Sequence, residues 1–546
     1  MSSSFISSFP ENFTPSNSQT DIITKIDRAF NNGYKFVVCS APTGSGKSFI
    51  SKTIGNCAEE PSTEFREAVE SYDIYKRNNF GKYVFEEDTI TSRPSGCFAL
   101  TITKSLQDQY KQLFNDIEIL KGKSNYQCTY DDNFSVNCAP CIHIKNIKEK
   151  CWSGKTCTYY EARNKTILSK FSVLNYDMFF ALPSHTKRKE YIVCDEAAEL
   201  EDQLVKFFAC QINFDALKKS KIVIPILPAT QDYGKIARWI QSMTAAVEDR
   251  IEELRDIVAS KNKPKILTVN SNIEELSTLQ TLQGKLKTLI STWHESEYII
   301  ERHAKGINFT PLKVDELAKY IFDYADKVVL MSATIIDPSS FCKALGITKY
   351  QYIEAESTFD SSKGPIYIST KTKLNYSNLH QQLPKIANQI TDICNHHSGE
   401  KGIIHTHTFD ITNFLKKSIK NNRILYREPG ISNEELLNIH NSSNEPTIIA
   451  SPSMSHGVDL KGDLARFQII IKAPYLPISD KRIEKLMKIN FSWYVNKMLS
   501  SFIQACGRGI RSKEDHCVTY VLDGAIAEVV FKNKNKIPKY FLDRFV

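Results

Sequence analysis

The stretch VVCSAPTGSGKS, Val37 to Ser48, decides the fold. Apolar, β-prone residues break into a loop holding Gly44 and Gly46, and a helical pattern follows. The two glycines let the backbone curl until its N–H groups converge on phosphate oxygens, and the helix N-terminus adds a favourable dipole. In such a loop Ala41, Pro42, Thr43, Gly44, Ser45, Gly46, Lys47 and Ser48 form the cradle for a nucleotide such as ATP. Lys47 reaches the β and γ phosphates, while the Ser48 hydroxyl holds Mg2+. Ala41 stands where the general pattern has its first glycine. An ordinary glycine-rich turn is the competing reading, and the strand before and the helix after weigh against it.

The same rhythm of a short β-rich run, a loop and a helical pattern recurs in CFALTITKSLQDQYKQLF, EYIVCDEAAELEDQL, KVVLMSATI, KGIIHTHTFDITNFLKKSI, PTIIASPSM and HCVTYVLDGA. Continuous apolar strands alternating with helices imply parallel sheets covered on both faces, and the runs suffice for two such sheets. One run, YIVCDEAAEL, delivers Asp195 and Glu196 at its carboxyl end, where ligands of open α/β sheets bind. Asp195 would hold the Mg2+ shell, and Glu196 would orient and deprotonate the attacking water. Alone the pair could simply begin a helix; beside a phosphate loop it specifies nucleotide hydrolysis.

Length and composition set the frame. The 546 residues suggest about three or four domains, and the apolar (41%) and charged (24%) shares are those of a protein with large cores. A net charge of +8 favours a polyanionic partner without proving one. The opening MSSSFISSFPENFTPSNS has neither the basic start nor the apolar stretch of an export signal, and runs such as KFVVC and QIIIKAP are too short to span a bilayer. The expectation is a cytoplasmic protein (host cytoplasm if viral) with reduced thiols and no membrane partner.

Between Leu200 and Ile307 the pattern turns helical. Val247, Ile251, Leu254 and Val258 share one face, and Leu276, Leu279, Leu282, Leu286, Leu289 and Trp293 another. This predicts an antiparallel helical pair inserted into the first α/β domain, a sheet-covering pair being the plainer alternative. Residues 59–96 are too long for a simple loop and read as a second insertion. Near the C-terminus, FIQACGRGIRS puts Gln504, Arg508 and Arg511 at helical spacing. They are either an arginine finger with its neighbours or a solvated basic face, and spacing alone does not choose.

NYQCTYDDNFSVNCAPCIHIKNIKEKCWSGKTCTYY, Asn125 to Tyr160, gathers Cys128, Cys138, Cys141, Cys151 and Cys157 out of 14 cysteines in the chain. Such crowding means a disulfide framework or a metal, and reduced thiols favour the metal. Spacing does not separate zinc from an iron–sulfur cluster.

In order, APTGSGKS, LTITKSLQDQY, CDEAA, LMSAT, GIIHTHTF, SPSMSHGVDLKGD and QACGRGIR resemble motifs I, Ia, II, III, IV, V and VI of superfamily 2 helicases. LKGKSNYQC, CTYYEAR and LNYDMFF narrow the resemblance to the iron–sulfur helicases of the XPD and DinG type, over Gln19 to Asp523. The resemblance implies an α/β fold of two RecA-like parallel-sheet domains with an inserted iron–sulfur cluster domain and a helical arch domain. Its divisions are a flexible N-terminus (1–18), RecA-like domain 1 (19–124, 161–205 and 307–340), the cluster domain (125–160), the arch (206–306) and RecA-like domain 2 (341–546).

The resemblance further implies a 4Fe-4S cluster on Cys128, Cys141, Cys151 and Cys157, with Cys138 spare. Gln19 would contact adenine. Gln504, Arg508 and Arg511 would act on the γ-phosphate across the interdomain cleft, and Ser332 and Thr334 would relay hydrolysis to domain movement. The implied activity is ATP-dependent DNA unwinding by 5′ to 3′ translocation on single strands, with single-stranded and forked DNA as partners, RNA as second choice, service in DNA repair or replication, and a monomer sufficing. An ATP-driven remodelling switch that grips nucleic acid without separating strands is the alternative.

Overall fold

The computed structural model describes residues 4–546 apart from 43, 68, 70–94, 143–150, 152–156, 230–231, 261–265, 356–359, 453–459, 461, 508 and 511–514. The first sheet begins with β1 (Phe36–Ser40), β2 (Cys97–Thr101), β3 (Glu118–Leu120), β4 (Phe171–Asn175) and β5 (Lys189–Cys194). Next in the chain come β6 (Cys210–Asn213), β7 (Tyr298–His303) and β8 (Gly306–Pro311), a separate three-stranded antiparallel sheet in the order β6-β8-β7. The chain then returns to the first sheet with β9 (Ala325–Ser332) and β10 (Tyr350–Glu354), completing seven parallel strands in the order β10-β1-β9-β5-β2-β4-β3. A second parallel sheet of six strands follows, built from β11 (Ile366–Ile368), β12 (Gly402–His405), β13 (Ile424–Tyr426), β14 (Ile448–Ser451), β15 (Phe467–Ile470) and β16 (Val518–Val521).

The expected α/β fold with two RecA-like parallel-sheet domains is thus present. Its physical basis is visible in β1, where Val38 enters the core on one face of the sheet while Val37 and Cys39 enter the core on the other. Successive strand residues point to opposite faces, so only an apolar run can serve a sheet covered on both sides.

Two expectations are corrected. The second domain does not begin at 341: β10 pairs in parallel with β1, Tyr350 opposite Phe36, so residues to Glu354 belong to the first sheet. The insertion expected at 206–306 is not wholly helical and does not end there. β8 continues to Pro311, and the module's core joins Cys210, Ile212, Ile307 and Phe309 of the small sheet to the helical leucines.

The functional elements lie on eight helices: α1 (Asn17–Asn31), α2 (Lys47–Cys57), α3 (Lys104–Leu113), α4 (Leu200–Phe208), α5 (Tyr233–Ser260), α6 (Ile266–Thr292), α7 (Lys481–Ile489) and α8 (Phe491–Cys506). The inserted pair is α5 and α6, with Val247, Ile251 and Leu254 packed against Leu276, Leu279, Leu286 and Leu289 in a core of their own. Leu276, Leu286 and Leu289 are fully buried, each worth about 2 kcal/mol of transfer free energy.

Most of insertion 59–96 lies outside the described residues, but its ends meet, since Gly96 N donates to Glu59 O at 2.9 Å. It therefore leaves and re-enters the first domain at one point. Among the described residues no helix is long and apolar enough to cross a membrane.

Candidate active site

The glycine-bearing loop follows β1, and Ala41 N donates to Ser332 O at 2.9 Å, which fixes the loop's start against the end of β9. Gly44 and Gly46 both have φ of 78°, left-handed backbone that glycine adopts without a Cβ penalty. Gly46 caps α2, so Lys47 and Ser48 open the helix. A Cβ on Gly46 would lie 2.1 Å from Gln19 Nε2. Ser45 Oγ is buried and has no hydrogen-bond partner among the described residues. A left-handed glycine loop at a helix N-terminus, with a buried hydroxyl still to be satisfied, fits the phosphates of a nucleotide. Thr43 lies outside the described residues.

Gln19 arrives on α1 by way of a capping box: its N–H donates to Ser16 Oγ at 3.2 Å and its Oε1 accepts from Ser16 N at 2.8 Å. The carbonyl end is committed to its own helix, and the amide nitrogen lies on the phosphate loop. What the structure places beside Gln19 is therefore Gly46.

β5 ends in Cys194 and hands over Asp195 and Glu196. Glu196 holds φ of 53°, a left-handed conformation that a non-glycine residue keeps only where its surroundings enforce it. Its Oε1 lies 3.5 Å from Lys47 Nζ, joining the two expected motifs by an ion pair. Asp195 is buried; burial pushes its carboxyl up to about 6, while Lys47 pulls it down and Glu196 pushes it up again. The Glu196 N–H donates to Asp195 Oδ1 at 3.0 Å. On the far side Tyr110, on α3, places its hydroxyl 3.2 Å from Asp195 Oδ2. Sequence reading passed over Tyr110. Its signal was a tyrosine on a mostly polar amphipathic helix, where only Gln107 and Tyr110 are buried.

Ser332 and Thr334 are buried with their hydroxyl oxygens 3.4 Å apart. Gln504 sits on α8, buried, with no hydrogen-bond partner for Oε1 among the described residues. Arg508 and Arg511 lie outside the described residues. The same helix carries Trp493 and Lys497 to the start of α4, where Glu201 Oε2 accepts from Trp493 Nε1 at 2.9 Å and Lys497 Nζ donates to Asp202 Oδ2 at 2.8 Å. The helix bearing Gln504 thereby meets the helix that follows Asp195 and Glu196.

In the cysteine-rich segment Cys128 and Cys151 are buried, and Cys138, Cys141 and Cys157 half-buried. Burial pushes the Cys141 thiol up to about 12, and Cys151, Cys128 and Cys157 beside it push the same way. Cys138 instead accepts from Asn137 Nδ2 at 3.2 Å. Among the described residues no set of His, Cys, Asp or Glu closes on a metal position as it stands. The donor chemistry nonetheless suits a thiolate-bound metal or cluster, since Cys128, Cys151 and Cys157 lie near enough to Cys141 to act on its thiol.

Residues 390–542 match the family model of the helicase C-terminal domain. No curated protein matches the chain by sequence. Among solved structures, one described as "XPD_Helicase" is 16% identical with a TM-score of 0.62, covering 96% of this chain and 98% of that one. Another, "XPD_APO", is 15% identical with a TM-score of 0.57 over 95% of this chain and 99% of that one. A third, "Structure of S. tokodaii Xpd4", is 15% identical with a TM-score of 0.54 over 96% and 99%. Residues 390–542 are thus similar to the helicase C-terminal domain, and the chain as a whole has the fold of the XPD helicases.

Proposed function

We propose that this chain is an ATP-dependent DNA helicase that translocates 5′ to 3′ on single-stranded DNA. The carrying observation is the ion pair of Lys47 and Glu196 at the carboxyl ends of two strands of one parallel sheet, with buried Asp195 beside it. Ala41 to Ser48 cradle the triphosphate, with Lys47 on its outer phosphates. Ser48 and Asp195 hold Mg2+, which when bound neutralises phosphate charge. Glu196, released from Lys47 as the phosphates take its place, orients and deprotonates the attacking water. Gln504, Arg508 and Arg511 act on the γ-phosphoryl group from the second domain. Cys128, Cys141, Cys151 and Cys157 hold a 4Fe-4S cluster, which when bound braces the segment 125–160 against the first domain.

Single-stranded DNA crosses both parallel-sheet domains on phosphate contacts that carry no sequence information, and a forked duplex divides at the passage beside the helical module. The deciding measurement is strand displacement by anaerobically purified protein, with ATP and Mg2+, on matched duplexes bearing a 5′ or a 3′ single-stranded tail. Opening of the 5′-tailed substrate alone is expected. Opening of the 3′-tailed one would reverse the polarity, and strand-stimulated hydrolysis with no opening would make the protein a remodelling switch.

A further inference from the structure

One phenol at the floor of the nucleotide site joins two functional elements. Tyr110 is 1% exposed, and its hydroxyl oxygen lies 3.2 Å from Asp195 Oδ2 and 3.0 Å from Ser51 Oγ on α2. The phenol hydroxyl donates towards two acceptors, Asp195 Oδ2 and Ser51 Oγ, and the Ser51 hydroxyl in turn donates to the Lys47 carbonyl at 3.1 Å.

The surroundings leave little play in this arrangement. Lys52 of α2 donates to Asp116, just beyond α3, at 2.6 Å, and Phe49 packs edge-on to Phe114 with ring centroids 5.2 Å apart. The phenol is therefore clamped between the helix that follows the phosphate loop and the carboxylate that follows β5. Packing alone would be served by phenylalanine here. A buried hydroxyl is costly unless bonded, and this one is bonded to Asp195 and to Ser51 of α2.

We propose that Tyr110 is a positioning residue that fixes Asp195 relative to α2, the helix on whose first turn Ser48 lies, for the Mg2+–nucleotide complex. The assignment rests on the reading of those two residues as the Mg2+ ligands. It reaches further, because it names a residue outside the phosphate loop and the Asp-Glu pair on which metal affinity depends.

The test compares the full chain with its Tyr110→Phe variant, which keeps the ring and its packing. Binding of a fluorescent, non-hydrolysable ATP analogue is followed over a Mg2+ titration, and the Mg2+ dependence of hydrolysis is measured in parallel. Nucleotide affinity in chelator should be equal for the two proteins. The Mg2+ concentration for half-maximal binding should rise about tenfold in Tyr110→Phe, the low end for loss of an outer-shell hydrogen bond. Hydrolysis should recover at saturating Mg2+, so the defect lies in apparent Mg2+ affinity and only weakly in kcat.

Ser51→Ala is the second variant and should move the same curve in the same direction by less; it carries the test alone if Tyr110→Phe does not fold. Superimposable Mg2+ curves for wild type and variants would overturn the role of Tyr110 while leaving the nucleotide site intact. Wild-type protein that binds no nucleotide at any Mg2+ concentration would overturn the underlying reading and this assignment with it.

Discussion

Arg482 Nη2 donates to Glu201 Oε1 at 2.7 Å, joining residues 281 positions apart on the two parallel-sheet domains. Lys497 Nζ lies 3.2 Å from the other carboxylate oxygen, which also accepts from Trp493. Burial alone would push the Glu201 carboxyl up, but Lys497, Arg482 and the hydrogen bonds from Trp493 and Arg482 outweigh it and hold the carboxyl at about 2.

Replacing Glu201 by Gln strands Arg482 in the interface. Breaking a buried pair from one side costs about 3 kcal/mol, so the unfolding midpoint in urea at pH 7 should fall accordingly. The sign with pH is fixed by the depressed carboxyl: its stabilisation is complete above the ordinary glutamate value of 4.5 and is lost as pH falls through that value towards 2. The gap between wild type and variant should therefore narrow as pH is lowered from 5 to 3; a constant gap would show that the charge is not the source.

Lys47→Ala removes both the phosphate-binding ammonium and the partner of Glu196. Hydrolysis should drop by about 100-fold or more, the scale of losing one charge-stabilising donor, while single-strand binding stays within about twofold. Unwinding by this variant would sink the assignment.

Gly46→Ala tests the loop geometry. Left-handed backbone costs a residue with a Cβ about 1–2 kcal/mol, and the new methyl would fall 2.1 Å from Gln19 Nε2. Nucleotide binding should be lost, with a lower melting temperature. Adding Gln19→Ala should restore part of the melting temperature, because it relieves the clash but not the φ of 78°.

The cysteines divide by colour. Anaerobically purified Cys138→Ala should keep iron and visible absorbance, whereas alanine at Cys128, Cys141, Cys151 or Cys157 should abolish both. A colourless wild type with stoichiometric zinc and full activity would assign the site to zinc.

Local chemistry was the legible part of this chain. The strand, glycine loop and helix around Lys47 announce themselves within a dozen positions, and the apolar face from Val247 to Leu254 predicts its own helix. β10 was missed because YQYIE, at the sheet edge, mixes polar and apolar residues and resembles a loop. The three-stranded sheet was missed because β6 and β8 are distant in sequence and neither is a continuous apolar run. Tyr110 and Arg482 were missed for another reason: each matters through a partner on another element, Asp195 for one and Glu201 for the other, and periodicity carries no such information. Arg508 and Arg511, the site residues that depended most on resemblance, lie outside the described residues.

Arg482 does more than hold Glu201. Its Nε also donates to Pro311 O at 3.0 Å and Leu312 O at 3.2 Å, where β8 leaves the small sheet. On the opposite flank, Lys285 of α6 donates to the carbonyl of Phe207 at the end of α4. The root of the α5–α6 pair is therefore held by both parallel-sheet domains. With 28 residues, α5 is about 42 Å long, so a tilt of about 5° at the root carries the tip about 4 Å. A rotation of the second parallel-sheet domain would therefore pull on the root of the pair through Arg482 and, beside it, through Lys485, which pairs with Glu297.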